Sequence, residues 1–244
     1  KISNYKFFKD KRACIINNNL DIKNFDLAIV GNSHAQMYVP SIKPFLSKNN
    51  KKAILLPMTG CLPTLDINIS KECMIKSREY FLNYSKDDNI KIIILATTWW
   101  HKKIFNGKKF IDDKNHKILA NSLINLINKL KDNNKEVFLV GPIQVPLYEL
   151  PQELSRLLKF KHIDEIELIK RLQVDREVYD LEYGYINSLL KKKLNKNYIQ
   201  LHEVQCNKKN CYYSDSNGLF FADGSHISKN GAKVFSNSFE FIFE

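Results

Sequence analysis

Short apolar runs alternate along this chain with longer stretches of helical periodicity. Asp26–Gly31 (DLAIVG) is the first run, apolar until a glycine stops it. Unbroken apolar character, without in–out alternation, marks a strand buried on both faces, as in a parallel sheet. Lys52–Met58, Ile90–Thr97, Glu136–Gly141 and Tyr198–His202 repeat the pattern and predict four more strands. Helices are predicted between them. Ala35–Leu46 is helical in pattern but carries Pro40 and Pro44, and Lys71–Lys86 follows. In Lys114–Lys131, residues Ile118, Leu119, Leu123, Ile124, Leu126, Ile127 and Leu130 form one apolar face. A long helical stretch runs from Pro151 to Leu194, and Ser228 is a candidate N-cap for a closing helix over Ser228–Phe241. Cys206–Gly224 is turn-rich. Residues 1–24, polar and rich in Lys and Asn, read as a leading segment or linker, with one domain over 25–244. No internal repeat is visible.

Strands alternating with helices predict an α/β fold: three α/β/α layers in a single domain, around a mainly parallel sheet of about five strands. Such sheets place their chemistry at the carboxyl ends of the strands. Four segments therefore carry the interest: Gly31-Asn32-Ser33-His34, Met58-Thr59-Gly60-Cys61, Thr97-Thr98-Trp99-Trp100 and Gly141-Pro142.

Composition narrows the classes. With 244 residues, 44% of them hydrophobic, a full core is affordable. The longest apolar runs, Ile92–Ala96 and Val137–Val140, fall far short of the ~20 residues of a membrane span. Lys1–Lys11 is charged but has no apolar segment behind it, so it does not read as a signal peptide. On this basis the chain is cytosolic or a soluble part of a larger protein. The net charge of +12 raises nucleic acid as a partner, yet only five of 38 basic residues are Arg, the residue suited to bidentate base and phosphate contacts. The scattered lysines read as a solvated surface, and no nucleic-acid role is expected.

The chain has five cysteines. Cys61 and Cys73, and Cys206 and Cys211, lie close enough in sequence to close two local disulfides, leaving Cys14 over. Zinc would prefer CxxC knuckles with matched His spacing, and no metal site is expected. Two bridges imply an oxidising compartment; five reduced thiols in a cytosolic protein is the alternative.

The candidate chemistry lies at the two ends. Ser33 follows the first strand and precedes a helix, whose free N–H groups favour an oxyanion beside it. Taken alone, a serine there is an N-cap. Asp223 and His226 lie three apart in FADGSHISKNGA, near enough for the carboxylate to hold imidazole Nδ1 and leave Nε2 to take a hydroxyl proton. Alone, Asp-Gly-Ser is ordinary turn composition. The serine follows the first strand and the Asp and His follow the last, so both ends meet at one edge of a doubly wound sheet.

GNSH at 31–34 and DGSH at 223–226 resemble blocks I and V of the SGNH hydrolase superfamily, and Gly60 matches the block II glycine. More narrowly, GNSHA, GCLP at 60–63, LATTWW at 95–100 and paired cysteines before DGSHIS resemble the C-terminal SGNH domain fused to membrane acyltransferase family 3 proteins. The resemblance implies an SGNH/flavodoxin-like fold. It implies Ser33 as nucleophile, His226 as base and Asp223 as its orienting partner, with Ser33 and Gly60 N–H groups holding the oxyanion. Two positions depart from the wider superfamily. Asn32 stands where block I has Asp, and Thr97, Thr98 and Trp99 stand where block III has its GxND asparagine. Asn32, His34, Thr98 and Trp99 are the remaining candidate substrate contacts. His34 is alternatively a helix-start residue, and Trp99 and Trp100 either stack on a sugar or pack at the strand end. His101, His116, His162 and His202 show no partnering pattern, and Asn68-Ile-Ser and Asn83-Tyr-Ser match glycosylation sequons by pattern alone.

The implied activity is O-acyl transfer, with acetyl passing through Ser33 to a hydroxyl of a bacterial surface glycan such as lipopolysaccharide. The implied partners are a membrane-embedded acyltransferase domain as donor and the glycan as acceptor, with no cofactor. The implied location is periplasmic or extracytoplasmic, tethered to the inner membrane. A carbohydrate esterase using the same three residues is the alternative, and a non-catalytic glycan-binding module is the rival from another class.

Overall fold

The computed structural model describes residues 13–17, 25–160 and 164–244. Strand β1 is Cys14–Ile16, β2 Leu27–Gly31, β3 Ala53–Pro57 and β4 Ile92–Ala96. A hairpin of β5 (Lys103–Phe105) and β6 (Phe110–Asp112) follows, then β7 (Glu136–Val140), β8 (Gln173–Asp175), β9 (Tyr198–Ile199) and β10 (Asn210–Tyr212). The helices are α1 (Ser33–Met37), α2 (Val39–Lys48), α3 (Lys71–Tyr84), α4 (Lys117–Asp132), α5 (Leu150–Phe160), α6 (Glu165–Arg171), α7 (Arg176–Leu194), α8 (His202–Gln205) and α9 (Lys229–Val234). The chain closes on a 3-10 helix at Ser236–Phe243.

Among the described residues six strands form the central sheet, in the order β1-β3-β2-β4-β7-β9. β3, β2, β4, β7 and β9 run parallel, and β1 pairs antiparallel with β3 at the edge. The parallel strands taken in chain order stand 2-1-3-4-5, the doubly wound flavodoxin-like order. The order reverses between β2 and β4, where a crevice opens beyond their carboxyl ends.

The apolar strands divide their side chains between two cores. Ala28 and Val30 of β2 face one, with Tyr84 of α3, Leu123 of α4 and Ile186 of α7. Leu27 and Ile29 face the other, with Ile42 of α2, Leu150 of α5, Ala232 of α9 and Phe239. All five residues of β2 and of β3 are buried, as continuous apolar runs require of a sheet covered on both faces. This is a three-layer, single-domain α/β architecture.

Several expectations need correction. Cys14–Ile16, assigned by sequence to the linker, belongs to the sheet, because its backbone satisfies the open edge of β3 through the pairs Cys14↔Leu55 and Ile16↔Ala53. The rest of the 1–24 segment, residues 1–12 and 18–24, lies outside the described residues. The long helical stretch expected over 151–194 divides into α5, α6 and α7, with β8 inserted between α6 and α7 to pair with β10. The fifth parallel strand is Tyr198–Ile199, shorter than the expected Tyr198–His202, and His202 begins α8. Within Ala35–Leu46 the chain breaks once, at Tyr38; Pro40 sits in the first turn of α2, where its missing N–H costs nothing.

Candidate active site

Ser33 is placed by the geometry of the residues before it. Gly31 ends β2 at φ +153°, and a Cβ there would stand 1.7 Å from the carbonyl oxygen of Ala96. Only glycine lets β4 pass so close, and that approach sets where the next loop starts. Asn32 is buried and N-caps α1, its Oδ1 accepting the His34 N–H at 3.1 Å. Its Nδ2 donates to Thr98 Oγ1 at 2.9 Å, which ties the loop after β2 to the loop after β4 across the switch point. Ser33 is thus the first residue of a capped helix, at the sheet's carboxyl edge.

Asp223 and His226 are shaped by a closed turn. Phe221 and Ile227 form an antiparallel bridge, and Ala222 N–H donates to the His226 carbonyl at 2.8 Å. Inside the turn, Asp223 Oδ1 accepts the N–H groups of Ser225 and His226, each at 2.7 Å, as aspartate does in such turns. Its Oδ2 is left to face His226 Nδ1 at 2.7 Å. His226 Nε2 lies 2.8 Å from Ser33 Oγ, a contact spanning 193 residues of sequence. Partial burial works to raise the Asp223 pKa, but the hydrogen bonds from His226 and Ser225 outweigh it and hold the carboxyl below the usual Asp range. An ionised carboxylate on Nδ1 fixes the proton there, so Nε2 presents its lone pair to the Ser33 hydroxyl. The arrangement can deprotonate a serine.

A cleft of about 410 Å³ opens beside this pair, bordered by Met37, Pro40, Ile227 and Lys229 together with Ser33 and His226. Gly60 lies at the same edge. Ser33 and Gly60 stand two and three residues beyond the paired positions Gly31 and Pro57, and Met58 N–H donates to the Gly31 carbonyl at 2.6 Å. Gly60 is exposed, with φ +75° and nothing within 4 Å of where a Cβ would stand.

The other sequence candidates have different surroundings. Trp99 is only 3% exposed, and its indole N–H donates to the Val140 carbonyl at 3.3 Å. It is core, and no ring face is left for a sugar. Thr98 is buried and engaged with Asn32, so both residues hold the loop rather than meet substrate. His34 is buried between Trp100, at 4.9 Å in an edge contact, and His226, at 5.7 Å. Burial and the neighbouring His226 lower its pKa to about 3, so it stays neutral. Trp100, half-buried, is the tryptophan that meets His34 beside the site; both tryptophans lie in the loop beyond β4, and the pattern did not say which faced out. His116 and His202 have partners after all. His116 Nε2 lies 2.7 Å from Glu182, which also pairs with Lys102, and His202 Nε2 lies 3.2 Å from Glu203. His162 lies outside the described residues. Asn68 is fully buried, so its sequon is out of reach of modification.

Both cysteine pairs are disulfides, Cys61–Cys73 and Cys206–Cys211. Among the described residues no helix is long and apolar enough to cross a membrane.

A family model described as the SGNH domain fused to AT3 domains matches residues 3–241. The chain belongs to that family. A search of curated proteins finds no match. Among solved structures this SGNH domain is similar to the periplasmic domain of a lipopolysaccharide acetyltransferase from Salmonella ser. Paratyphi A. The TM-score is 0.66 and the identity 18%, over 92% of this chain and 85% of the other. A Bacteroides fragilis protein assigned as an acylhydrolase is more distant, with a TM-score of 0.48 and 14% identity over 89% and 85% of the two chains. At 18% identity the likeness to the Salmonella domain is one of fold.

Proposed function

We propose that this domain is a serine-dependent O-acyltransferase that moves an acyl group, acetyl in the simplest case, onto a hydroxyl of a bacterial surface glycan. One observation carries the reading: Ser33 Oγ, His226 and Asp223 lie in hydrogen-bonded series at 2.8 and 2.7 Å. Ser33 Oγ attacks the acyl carbonyl carbon while His226 Nε2 takes its proton. The oxyanion forms against the N–H groups of Ser33 and Gly60. Collapse expels the donor's leaving group, which takes the proton from His226, and leaves an ester on Ser33. A sugar hydroxyl then gives its proton to His226 and attacks that ester. Ser33 leaves with the proton, and the sugar carries the acyl group.

Family membership supports a donor role for the AT3 membrane acyltransferase domain, and the Salmonella relative supports a lipopolysaccharide-type acceptor. The two disulfides support an extracytoplasmic location on the periplasmic side. One feature favours hydrolysis as a second reading: the His226 side chain is 37% exposed, so water reaches the acyl-serine when no sugar fills the cleft.

The test is acetyl transfer from 4-nitrophenyl acetate, with and without oligosaccharides prepared from bacterial surface polysaccharide. Slow hydrolysis should appear alone, acetylated sugar should appear with the acceptor, and Ser33→Ala should abolish both. Fast hydrolysis indifferent to acceptor would establish the esterase, and a folded Ser33→Ala variant with wild-type turnover would remove the mechanism.

A further inference from the structure

The loop that carries Gly60 is held in two unequal halves. Residues 62–69 are bound by several independent ties. The fully buried Asn68 side chain accepts from Leu62 N–H at 3.0 Å and donates to the Leu62 carbonyl at 2.8 Å. The Asn68 and Phe105 backbones exchange hydrogen bonds in both directions, Thr64 Oγ1 donates to the Ile67 carbonyl, and Arg78 Nε donates to the Leu65 carbonyl. The first half is different. The turn from Met58 to Cys61 is closed by Cys61 N–H donating to the Met58 carbonyl at 2.7 Å, and its far end is fastened by the Cys61–Cys73 disulfide. Cys73 sits in the first turn of α3, fixed by the Ser70 cap at 3.2 Å. The near end of the turn is held by Met58 N–H on the Gly31 carbonyl at 2.6 Å, and Gly60, directly before Cys61, is exposed with nothing within 4 Å of where a Cβ would stand.

We infer that the Cys61–Cys73 disulfide is a positioning element for the Gly60 N–H, so that acyl transfer is switched on by oxidation of this pair while the fold is not. This deepens the acyltransferase reading and rests on it. An oxyanion donor works only if held in place before the charge develops, and a displacement of about 1 Å costs on the order of 100-fold. With the bridge open, Asn68 still clamps Leu62 and the second half of the loop stays built. The turn keeps its bond to Gly31 at the Met58 end, but Gly60, exposed at φ +75°, loses the covalent tie to α3 one residue away. The domain would therefore be quiet in a reducing compartment and active after oxidation. Cys61 and Cys73 do not touch the reacting atoms; they act through Gly60.

The test uses a Cys206→Ser/Cys211→Ser background, in which Cys61–Cys73 is the remaining bridge. Dithiothreitol transfers two electrons and two protons to that bridge, giving two thiols on the protein and its own cyclic disulfide. Reduction should lower kcat for 4-nitrophenyl acetate by about 10- to 100-fold with KM changed less than about twofold. Circular dichroism should be unchanged, and reoxidation should restore kcat. Cys61→Ser/Cys73→Ser in the wild-type background should show the same loss without recovery. Unchanged kcat in a folded protein whose thiols titrate as open overturns the inference. So does global unfolding on reduction in both forms, because the bridge is then a fold element. Absence of turnover in the oxidised wild type would instead refute the acyltransferase reading itself.

Discussion

Asp223→Asn isolates the part of the mechanism that the geometry makes most specific. The wild-type carboxylate accepts four hydrogen bonds: Oδ1 takes Ser225 N–H, His226 N–H and Ser225 Oγ, and Oδ2 takes His226 Nδ1. Asparagine has one oxygen that accepts and one NH₂ that only donates. With two backbone N–H groups at 2.7 Å to satisfy, its oxygen stays at the Oδ1 position and its NH₂ falls opposite Nδ1. Nδ1 must then accept, so the neutral imidazole carries its proton on Nε2, 2.8 Å from Ser33 Oγ. Two donors face each other, and the hydroxyl has no base. The turn keeps its backbone bonds, so folding should be little affected. A wrong tautomer in a serine–histidine system costs about 10,000-fold in kcat, or about 5.5 kcal/mol of transition-state stabilisation. The assay is hydrolysis of 4-nitrophenyl acetate between pH 5 and 9, with thermal melts to check folding. Because its hydrogen bonds hold the Asp223 pKa below the usual range, the wild-type carboxylate stays charged throughout that window and adds no inflection of its own. Its stabilising contribution is full above the unfolded Asp value and is lost only as pH falls through the lower folded value. A folded Asp223→Asn variant within about threefold of wild-type kcat would refute the tautomer argument.

Two further variants test how Ser33 is presented. Gly31→Ala would drive a Cβ to 1.7 Å from the Ala96 carbonyl oxygen at a φ of +153°, so β2 and β4 must part; a loss of about 3 kcal/mol or more is expected, read as a fall of roughly 6–12 °C in Tm. A Tm within about 2 °C of wild type would show that the sheet yields there. Asn32→Ala removes both the α1 cap and the bond to Thr98 Oγ1, and should cost about 2 kcal/mol in urea denaturation together with reduced ester turnover. Unchanged turnover would show that Ser33 does not depend on the tie between the two loops.

By itself the sequence determined the five parallel strands and the meeting of Ser33, Asp223 and His226 at their edge. Val30, Ile54, Ile93 and Leu139 lie in uninterrupted apolar runs, and such runs are stable only when covered on both faces, which dictates parallel strands under two helix layers. Parallel connectivity then brings the end of the first strand and the loop after the last to the same edge. Ser33 and His226 were therefore legible as neighbours despite a sequence separation of 193. The tertiary structure decided what depends on partners remote in sequence. Cys14–Ile16 is a strand only because β3 offers it an open edge. The stretch 151–194 breaks before α7 because Gln173–Asp175 finds Asn210–Tyr212, a pairing that helical periodicity cannot register. Trp99 and Trp100 are identical to any sequence pattern; Val140 takes the first into the core, and His34 holds the second near the site. The two arms of Asn32 likewise acquire their meaning from Thr98, which is adjacent only because β2 and β4 are. Local chemistry sets the strand and the turn, whereas the direction of a side chain is settled by whichever surface arrives to bury it.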